Sequence, residues 1–196
     1  MEIGPGAFHF ARYLSVADQI ALVDQCRSLA DGDVPAYVPV VRGGGKMHVR
    51  MLCLGRHWNG KTYCYEPNRS DFDNLPAPPL PGNLAQLASD IARSAGMDVT
   101  PDLCILNYYD AEGRMGLHQD KDESAASIAA GLPVVSVSLG DTARFLFGVS
   151  LPPKAHRRAC YGHERCQIPP ATLRAASVAH VYAGPSFRVR QEYSAP

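Results

Sequence analysis

Residues 103–123 read Leu-Cys-Ile-Leu-Asn-Tyr-Tyr-Asp-Ala-Glu-Gly-Arg-Met-Gly-Leu-His-Gln-Asp-Lys-Asp-Glu, and the fold is best deduced from this stretch. An apolar strand leads into a turn at Gly113, and a second strand ends near His118 and Asp120. Side chains at positions i and i+2 of an extended segment share a face, so this imidazole and carboxylate can converge on one metal ion. They would supply two ligands of a 2-His-1-carboxylate iron site. Because a His-x-Asp pair also arises by chance, the neighbouring residues are needed to tell a metal site from a chance pair.

The residues around this pair follow a longer pattern, N-x-Y, a short glycine turn and then H-x-D-x-D-E. The pattern is formed by Asn107, Tyr109, His118, Asp120, Asp122 and Glu123. It resembles the motif of the AlkB family of Fe(II)- and 2-oxoglutarate-dependent dioxygenases. Residues 134–148 look like the paired strands that follow this motif in the family. The resemblance covers about residues 5–148 and fades after Gly148.

The resemblance implies a reaction as well as a metal. Fe(II) would be held by His118 and Asp120, and 2-oxoglutarate would chelate the iron while Asn107 and Tyr109 hydrogen-bond it. In the family, oxidation of an N-methyl group on a nucleic-acid base releases formaldehyde, with succinate and CO2 as the other products. An ordinary structural role, as an amide near a turn and an aromatic residue in a sheet, is the alternative for Asn107 and Tyr109.

Three aromatic residues upstream, Trp58, Tyr63 and Tyr65, are similar to those of the family's nucleotide-recognition lid. Such a lid would hold a base that is single-stranded or flipped out of a duplex. The resemblance also implies that Asp122 accepts a hydrogen bond from the exocyclic amine of the base. Aromatic residues in strands are commonly part of a core, and Asp122 also fits a solvated acidic run, so both alternatives stay open.

The family's second iron-binding histidine does not appear here in its usual sequence context. Three candidates for the distal ligand follow the motif, His156, His163 and His180. We favour His180, because residues 177–182 can form a strand and because its separation from Asp120 is near that used in the family. A core or surface role is the alternative for each histidine.

In the family, two arginines of a late strand pair with the carboxylates of 2-oxoglutarate and form an arginine clamp. The usual sequence of this clamp is also missing here. Arg188 and Arg190 lie two residues apart in a strand-like segment, so they point the same way and either can meet a carboxylate of 2-oxoglutarate. Their spacing differs from that of the family's arginine pair. We therefore expect 2-oxoglutarate to be bound by one or both of them.

The composition of the chain changes at Val149 to a mixture rich in Pro, Arg, Ala and Cys. This change fits a divergent C-terminus, and it also fits a change of reading frame after the codon for Gly148. A closely spaced set of zinc-type ligands lies in this tail, namely His156, Cys160, His163 and Cys166. Structural zinc sites usually place their ligand pairs farther apart, so unligated residues are the simpler interpretation.

The local patterns predict two helices followed by a series of strands. Ser15 is the expected N-cap of a first helix that ends by Gly32, and Asn83 is the expected cap of a second that ends at Gly96. Strands are predicted at about 103–109, 115–120, 134–139 and 143–147. This order indicates an α+β fold. The family resemblance refines it to a double-stranded β-helix, or jelly roll, backed by the N-terminal helices.

The 196 residues suit a single oxygenase domain. Within it, residues 1–100 would carry the helices and the lid, and residues 101–196 the jelly-roll core, with 149–196 atypical. Residues 149–196 hold seven Lys and Arg against two acidic residues, and this basic excess suits contact with phosphates as well as solubility alone. We expect a cytoplasmic protein with no membrane span, because no long apolar run or secretory signal pattern is present. The six cysteines are expected to be reduced.

The function that these observations favour is oxidative dealkylation of N-alkylated bases in DNA or RNA. Three alternatives stay open. The chain would be an inactive relative that binds nucleic acid or protein if its distal ligand and arginine clamp are lost, or it would oxidise a protein or a lipid instead. No obligate protein partner is implied by the sequence.

Overall fold

The computed structural model describes residues 1–4, 6–110, 112–118, 120, 122, 124–140, 143–149, 178–183 and 187–193. The strands are β1 (Glu2–Gly4), β2 (Ala7–Ala11), β3 (Arg50–Leu54), β4 (His57–Asn59), β5 (Cys64–Glu66), β6 (Cys104–Tyr108), β7 (Arg114–His118), β8 (Pro133–Ser138), β9 (Ala143–Val149), β10 (Val178–Ala183) and β11 (Phe187–Tyr193). The helices are α1 (Val16–Ala30), α2 (Gly82–Ser94) and α3 (Ala125–Ala129).

The described strands form four antiparallel sheets. The largest has the order β1-β2-β10-β8, and a second has the order β7-β11-β9. Two further pairs are β3-β6 and β4-β5. Late strands therefore lie beside early ones, because β10 pairs with β2 and β11 pairs with β7. Helices packed with antiparallel sheets confirm the α+β class.

The first helix begins where the sequence predicts. The Ser15 hydroxyl accepts a hydrogen bond from the backbone N–H of Asp18 at 3.2 Å, so the cap satisfies one of the free donors of the first turn. The second helix differs from the prediction, because Pro81 and not Asn83 is its N-cap. The Asn83 amide instead exchanges two hydrogen bonds with the Gln25 side chain, at 3.1 and 2.7 Å, and so links the two helices.

An apolar core lies between the helices and the sheets. Leu52 and Leu54 of β3 are fully buried, and they pack with Leu84 of α2 and Ala30 of α1. Ile91 on the same helix is also fully buried, and it contacts residues of β2 and β8. The helix α2 therefore packs against two sheets, which joins them into one core.

Several elements were not anticipated by the sequence patterns. They include β1, β2, α3 and the β4–β5 hairpin, all of which contain five residues or fewer. The apolar residues at 38–41 predict a short strand, but the structure has only an isolated bridge there, between Val40 and Lys46. The strand expected to reach Asp120 ends at His118.

Four cysteines lie in the described part of the chain, and all four are free thiols, as expected. Among the described residues no helix is both long and apolar enough to cross a membrane. The cytoplasmic location and the domain division at residue 100 stay predictions.

Candidate active site

The strand β6 presents different residues on its two faces. Leu106 and Tyr108 pack against the apolar core, and the Tyr108 hydroxyl donates a 2.6 Å hydrogen bond to the carbonyl of Cys26 on α1. Because side chains alternate along a strand, Asn107 lies on the opposite face, where it is exposed, and Tyr109 follows it just past the strand end. Asn107, one of the two residues expected to bind 2-oxoglutarate, therefore lies on the side of the strand away from the helices.

The turn between β6 and β7 depends on Gly113. A Cβ atom at this position would lie 2.7 Å from the Cβ atom of Tyr109, closer than real contacts allow. The Gly113 N–H donates to the Asp110 carbonyl at 3.0 Å, which closes the turn predicted at this place. Arg114 then donates its backbone N–H to the carbonyl of His48. The turn thus delivers the chain to the start of the strand that ends at His118.

His118 and Asp120 lie close together, as the i, i+2 spacing predicts. The His118 Nε2 atom is 3.4 Å from the Asp120 Oδ1 atom, and both side chains are about one-third exposed. Two ligands about 2.1 Å from one ion and at right angles to each other would be about 3 Å apart. The imidazole and the carboxylate therefore fit two neighbouring positions around a single iron ion.

The lid residues meet the iron motif through one hydrogen bond. The Trp58 indole N–H on β4 donates to the Asp122 Oδ2 atom at 2.9 Å. The Tyr63 ring lies beside Trp58, with ring centroids 5.8 Å apart and planes 51° apart. Tyr65 on β5 is the Cα partner of Trp58 and is half-buried. The structure thus brings together Trp58, Tyr63 and Asp122. Of these, Asp122 lies four residues after His118 in the chain.

A polar network lies under the lid. His57 precedes Trp58 on β4, so the two side chains lie on opposite faces of the strand, and His57 is fully buried. Its Nε2 atom is 2.7 Å from the Asp71 Oδ1 atom and 3.2 Å from the Tyr37 hydroxyl. The other carboxylate oxygen of Asp71 accepts the backbone N–H of Gly60. The face of the hairpin opposite Trp58 is therefore anchored.

Arg69 extends this network and is 1% exposed. Its guanidinium makes a two-point ion pair with Asp73 and donates to the Pro35 carbonyl at 2.6 Å. It also lies over the rings of Tyr37 and Phe72, at 5.0 and 5.1 Å from their centroids. Hydrogen bonding from Arg69 holds the pKa of Asp73 below its usual value. The arginine therefore joins the loop after the hairpin to the segment before β3.

Three side chains of this region are also close enough to hold a cation. The ligand atoms of His57, Glu66 and Asp71 lie within 4.8 Å of one another. Each has a protein partner already, since His57 and Asp71 contact each other and Glu66 accepts the Asn59 amide at 2.9 Å. This set anchors the lid and is separate from the His118 and Asp120 pair. No local spacing connects its members, so a sequence pattern does not predict it.

The remaining predicted site residues fall on the last two strands, for which backbone pairing is described. On β10, His180 has His9 and Ser136 as Cα partners. On β11, Arg188 and Arg190 flank Val189, which is the Cα partner of His118. Both strands therefore belong to the sheets that also contain the motif strand and β2. The alternative ligands His156 and His163, with the tail cysteines and Glu123, lie outside the described residues.

A protein-family model described as the 2OG-Fe(II) oxygenase superfamily matches residues 6–184. The chain therefore belongs to this superfamily, and the match continues beyond Gly148, where the resemblance of the motifs fades. Family membership and the structural likeness below together imply a jelly-roll fold.

The chain is similar to named relatives within this class. It is 42% identical over 162 residues to the Arabidopsis thaliana "DNA N(6)-methyladenine demethylase ALKBH1C", an alignment that covers 74% of this chain and 35% of that protein. It is 35% identical over 150 residues to the Salmonella typhimurium "Alpha-ketoglutarate-dependent dioxygenase AlkB", covering 74% and 66%. The chain thus spans about a third of the length of the Arabidopsis relatives.

A solved structure entitled "The structure of OsALKBH1" resembles the whole chain. Its TM-score is 0.77 at 27% sequence identity, and the alignment covers 100% of this chain and 89% of that one. The fold described above is therefore shared by a structurally determined relative.

Proposed function

We propose that this protein is an Fe(II)- and 2-oxoglutarate-dependent dioxygenase that removes alkyl groups from N-alkylated nucleic-acid bases. The observation that carries the proposal is the hydrogen bond from Trp58 to Asp122, because it holds a flat aromatic ring beside the motif of His118 and Asp120. A stacking surface next to an oxidising metal suits a planar base as substrate. The names of the relatives point to the same chemistry.

His118, Asp120 and His180 are the proposed iron ligands. The imidazole and carboxylate donors of the first two, 3.4 Å apart, are a set that non-haem Fe(II) accepts. His180 lies on the central strand β10 of the largest sheet, and we assign it the third position. In this assignment the sheets β1-β2-β10-β8 and β7-β11-β9 are the two walls of a closed double-stranded β-helix. Iron with bound 2-oxoglutarate would supply the activation of O2 for oxidation of a C–H bond.

The co-substrate would be bound by residues around the motif strand. Asn107 is exposed on the face of β6 that points away from the helices, Tyr109 follows just past the end of the strand, and we assign to both a hydrogen bond with 2-oxoglutarate. Arg188 and Arg190 belong to β11, the strand next to β7, and a guanidinium there would pair with a carboxylate. The products from this side of the reaction would be succinate and CO2.

The substrate would enter as a single-stranded or flipped base. Trp58 would form one wall of the base site, with Tyr63 and Tyr65 completing the lid, and stacking on one aromatic ring contributes about 1 to 3 kcal/mol. The Asp122 carboxylate has acceptor capacity beyond the Trp58 N–H and would take a hydrogen bond from an exocyclic amine. Once the N-methyl carbon is hydroxylated, its C–N bond breaks and formaldehyde leaves, which restores the base.

The proposal is tested by anaerobic titration of the protein with Fe(II) and 2-oxoglutarate, followed by the visible charge-transfer absorption of the chelate. We expect the band in the wild type and in His156→Ala, and its loss in His118→Ala and in His180→Ala. Retention of the band in His180→Ala together with its loss in His156→Ala would show that His156, and not His180, is the third ligand. A wild type without the band would identify an inactive relative. The absence of the family's usual sequences around the second histidine and the arginines fits that outcome too.

A further inference from the structure

Arg42 is a surface side chain that the structure nevertheless holds in place. Its backbone N–H donates to the carbonyl of Gly60 at 3.0 Å, and its Nε atom donates to the carbonyl of Lys61 at 3.2 Å. Both acceptors lie at the tip of the lid hairpin. An exposed arginine usually loses conformational freedom on binding an anion, and these two contacts have already removed part of that freedom.

The guanidinium of Arg42 also stacks on the lid. Its central carbon lies 5.3 Å from the centroid of the Tyr63 ring, which in turn lies beside Trp58. Tyr63 has a left-handed backbone, with φ of 59°, and its N–H donates to the carbonyl of Asn59 at 2.8 Å. A non-glycine residue keeps this conformation where surrounding contacts hold it, and such residues concentrate at functional sites. A continuous series of contacts therefore runs from Arg42 at the surface to Asp122 beside the iron motif.

Among the described residues, no carboxylate pairs with the charge of Arg42. Within the described part of the chain, the ion pairs of arginine side chains involve Arg27, Arg69 and Arg93, and none joins Arg42 to an acid. The Nε atom is engaged with a carbonyl, so the two terminal amino groups still have donors to offer. A stacked guanidinium with such donors matches the geometry of a phosphate, which it can bind by two parallel hydrogen bonds.

We propose that Arg42 binds a backbone phosphate of the nucleic acid, adjacent to the nucleotide whose base stacks on Trp58. The inference rests on the proposed function, because it takes Trp58 as the base platform. Arg42 lies one aromatic ring farther out than Trp58, so it meets the strand and not the base. It contributes affinity for the polynucleotide without reading its sequence.

The test is the salt dependence of binding of a methylated single-stranded oligonucleotide, measured by fluorescence anisotropy without 2-oxoglutarate. One phosphate contact in a single strand changes the slope of log K against log salt concentration by about 0.7. We expect Arg42→Gln to reduce the slope by about this amount and to weaken binding about 5- to 10-fold at low salt. Lys46→Gln, which removes an exposed charge from the same loop, is the matched control and should weaken binding less than twofold.

A methylated nucleoside, which has no phosphate, separates phosphate binding from a role in shaping the lid. Its binding, followed through the fluorescence of the single tryptophan, should be the same in Arg42→Gln and the wild type. Equal weakening for nucleoside and oligonucleotide, or an unchanged salt slope, would overturn the proposal. If the wild type binds and demethylates the oligonucleotide while Arg42→Gln matches it at every salt concentration, only this inference fails. A wild type that binds no oligonucleotide overturns the proposed function as well.

Discussion

The fully buried side chains that pack between helices α1 and α2 and the sheets include Leu52, Leu54 and Ile91, whereas those under the lid hairpin include His57 and Arg69. The first group has only apolar neighbours to satisfy, so its stabilisation comes from area removed from water and from packing. The second group is held by directed bonds to Asp71, Asp73 and the Tyr37 hydroxyl. Two parts of the molecule are therefore stabilised by different physical means.

The difference suits what each region must do. An apolar core accepts many side chains of equal volume, because dispersion forces have no preferred direction. A buried polar network is satisfied in few arrangements, so it fixes orientation at the cost of tolerance to substitution. The lid makes use of that orientation, since β4 carries the indole N–H that donates to Asp122.

Truncation in the apolar core should destabilise the whole domain most. Leu52→Ala removes a fully buried side chain at the centre of the helix-backed sheet, and such changes cost about 2 to 5 kcal/mol. Leu52→Met keeps the volume and should cost less than about 1.5 kcal/mol. Urea unfolding measures both. The emission of Trp58 in the folded state should be unchanged in each variant, and a shifted emission would show that the two regions are not separate.

Loss of the buried arginine should be the largest effect within the lid. Arg69→Met leaves the Asp73 carboxylate and the Pro35 carbonyl without their donor, and breaking such a pair costs about 3 kcal/mol when one partner keeps some contact with water. The matched control is Arg27→Met on the exposed face of α1, where an ion pair of two exposed side chains contributes less than about 0.5 kcal/mol. Equal unfolding free energies for the two variants would contradict the network.

Two tyrosine hydroxyls allow a comparison at the level of a single atom. Tyr37→Phe removes a hydrogen bond to His57 in the lid network, and Tyr108→Phe removes one to the Cys26 carbonyl on α1. Each should lower the free energy of unfolding by about 1 kcal/mol. Only Tyr37→Phe should also shift the Trp58 emission and raise the KM for the oligonucleotide. The same kinetic change in Tyr108→Phe would show that general stability, and not lid orientation, is measured.

The smallest expected effect is on how much stability the protein loses at low pH through the Asp73 carboxylate. Hydrogen bonds from Arg69 hold the folded-state pKa of Asp73 below its unfolded value of 3.8. The resulting stabilisation is present above that unfolded pKa and is lost as the pH falls through the lower folded pKa. Asp73→Asn should therefore lose less stability than the wild type between pH 4 and pH 2, as followed by the unfolding midpoint in urea. Parallel acid curves for the two proteins would show that the pair adds nothing.

The parts of the molecule that sequence predicts well are those fixed by near neighbours. The Ser15 cap and the convergence of His118 with Asp120 each depend on residues within three positions. The β6–β7 turn is local in the same way, since it depends on Gly113, where a Cβ atom would collide with Tyr109.

The parts that sequence did not predict depend on distant partners. His57 meets Tyr37 and Asp71 across 20 and 14 residues, and both separations are too long for the pattern of a single helix or strand to predict them. Asn83 is a residue type that often caps a helix, but here its side chain hydrogen-bonds Gln25, 58 residues away. Trp58 of the lid and Asp122 of the motif, 64 positions apart, were placed in one site only by the family resemblance. Tertiary contacts of this kind override local propensity and leave no periodic trace in the chain.

The central claim is that the motif beside the lid oxidises an alkylated base. The direct measurement is incubation of single-stranded oligonucleotides carrying 1-methyladenine, 3-methylcytosine or N6-methyladenine with the protein, Fe(II), 2-oxoglutarate and O2, counting formaldehyde, succinate and restored base. We predict equal amounts of formaldehyde and restored base for at least one substrate, with succinate formed alongside, and none of the three with His118→Ala. Binding of the oligonucleotides without formaldehyde or restored base, in a protein that has bound iron and 2-oxoglutarate, would contradict the account.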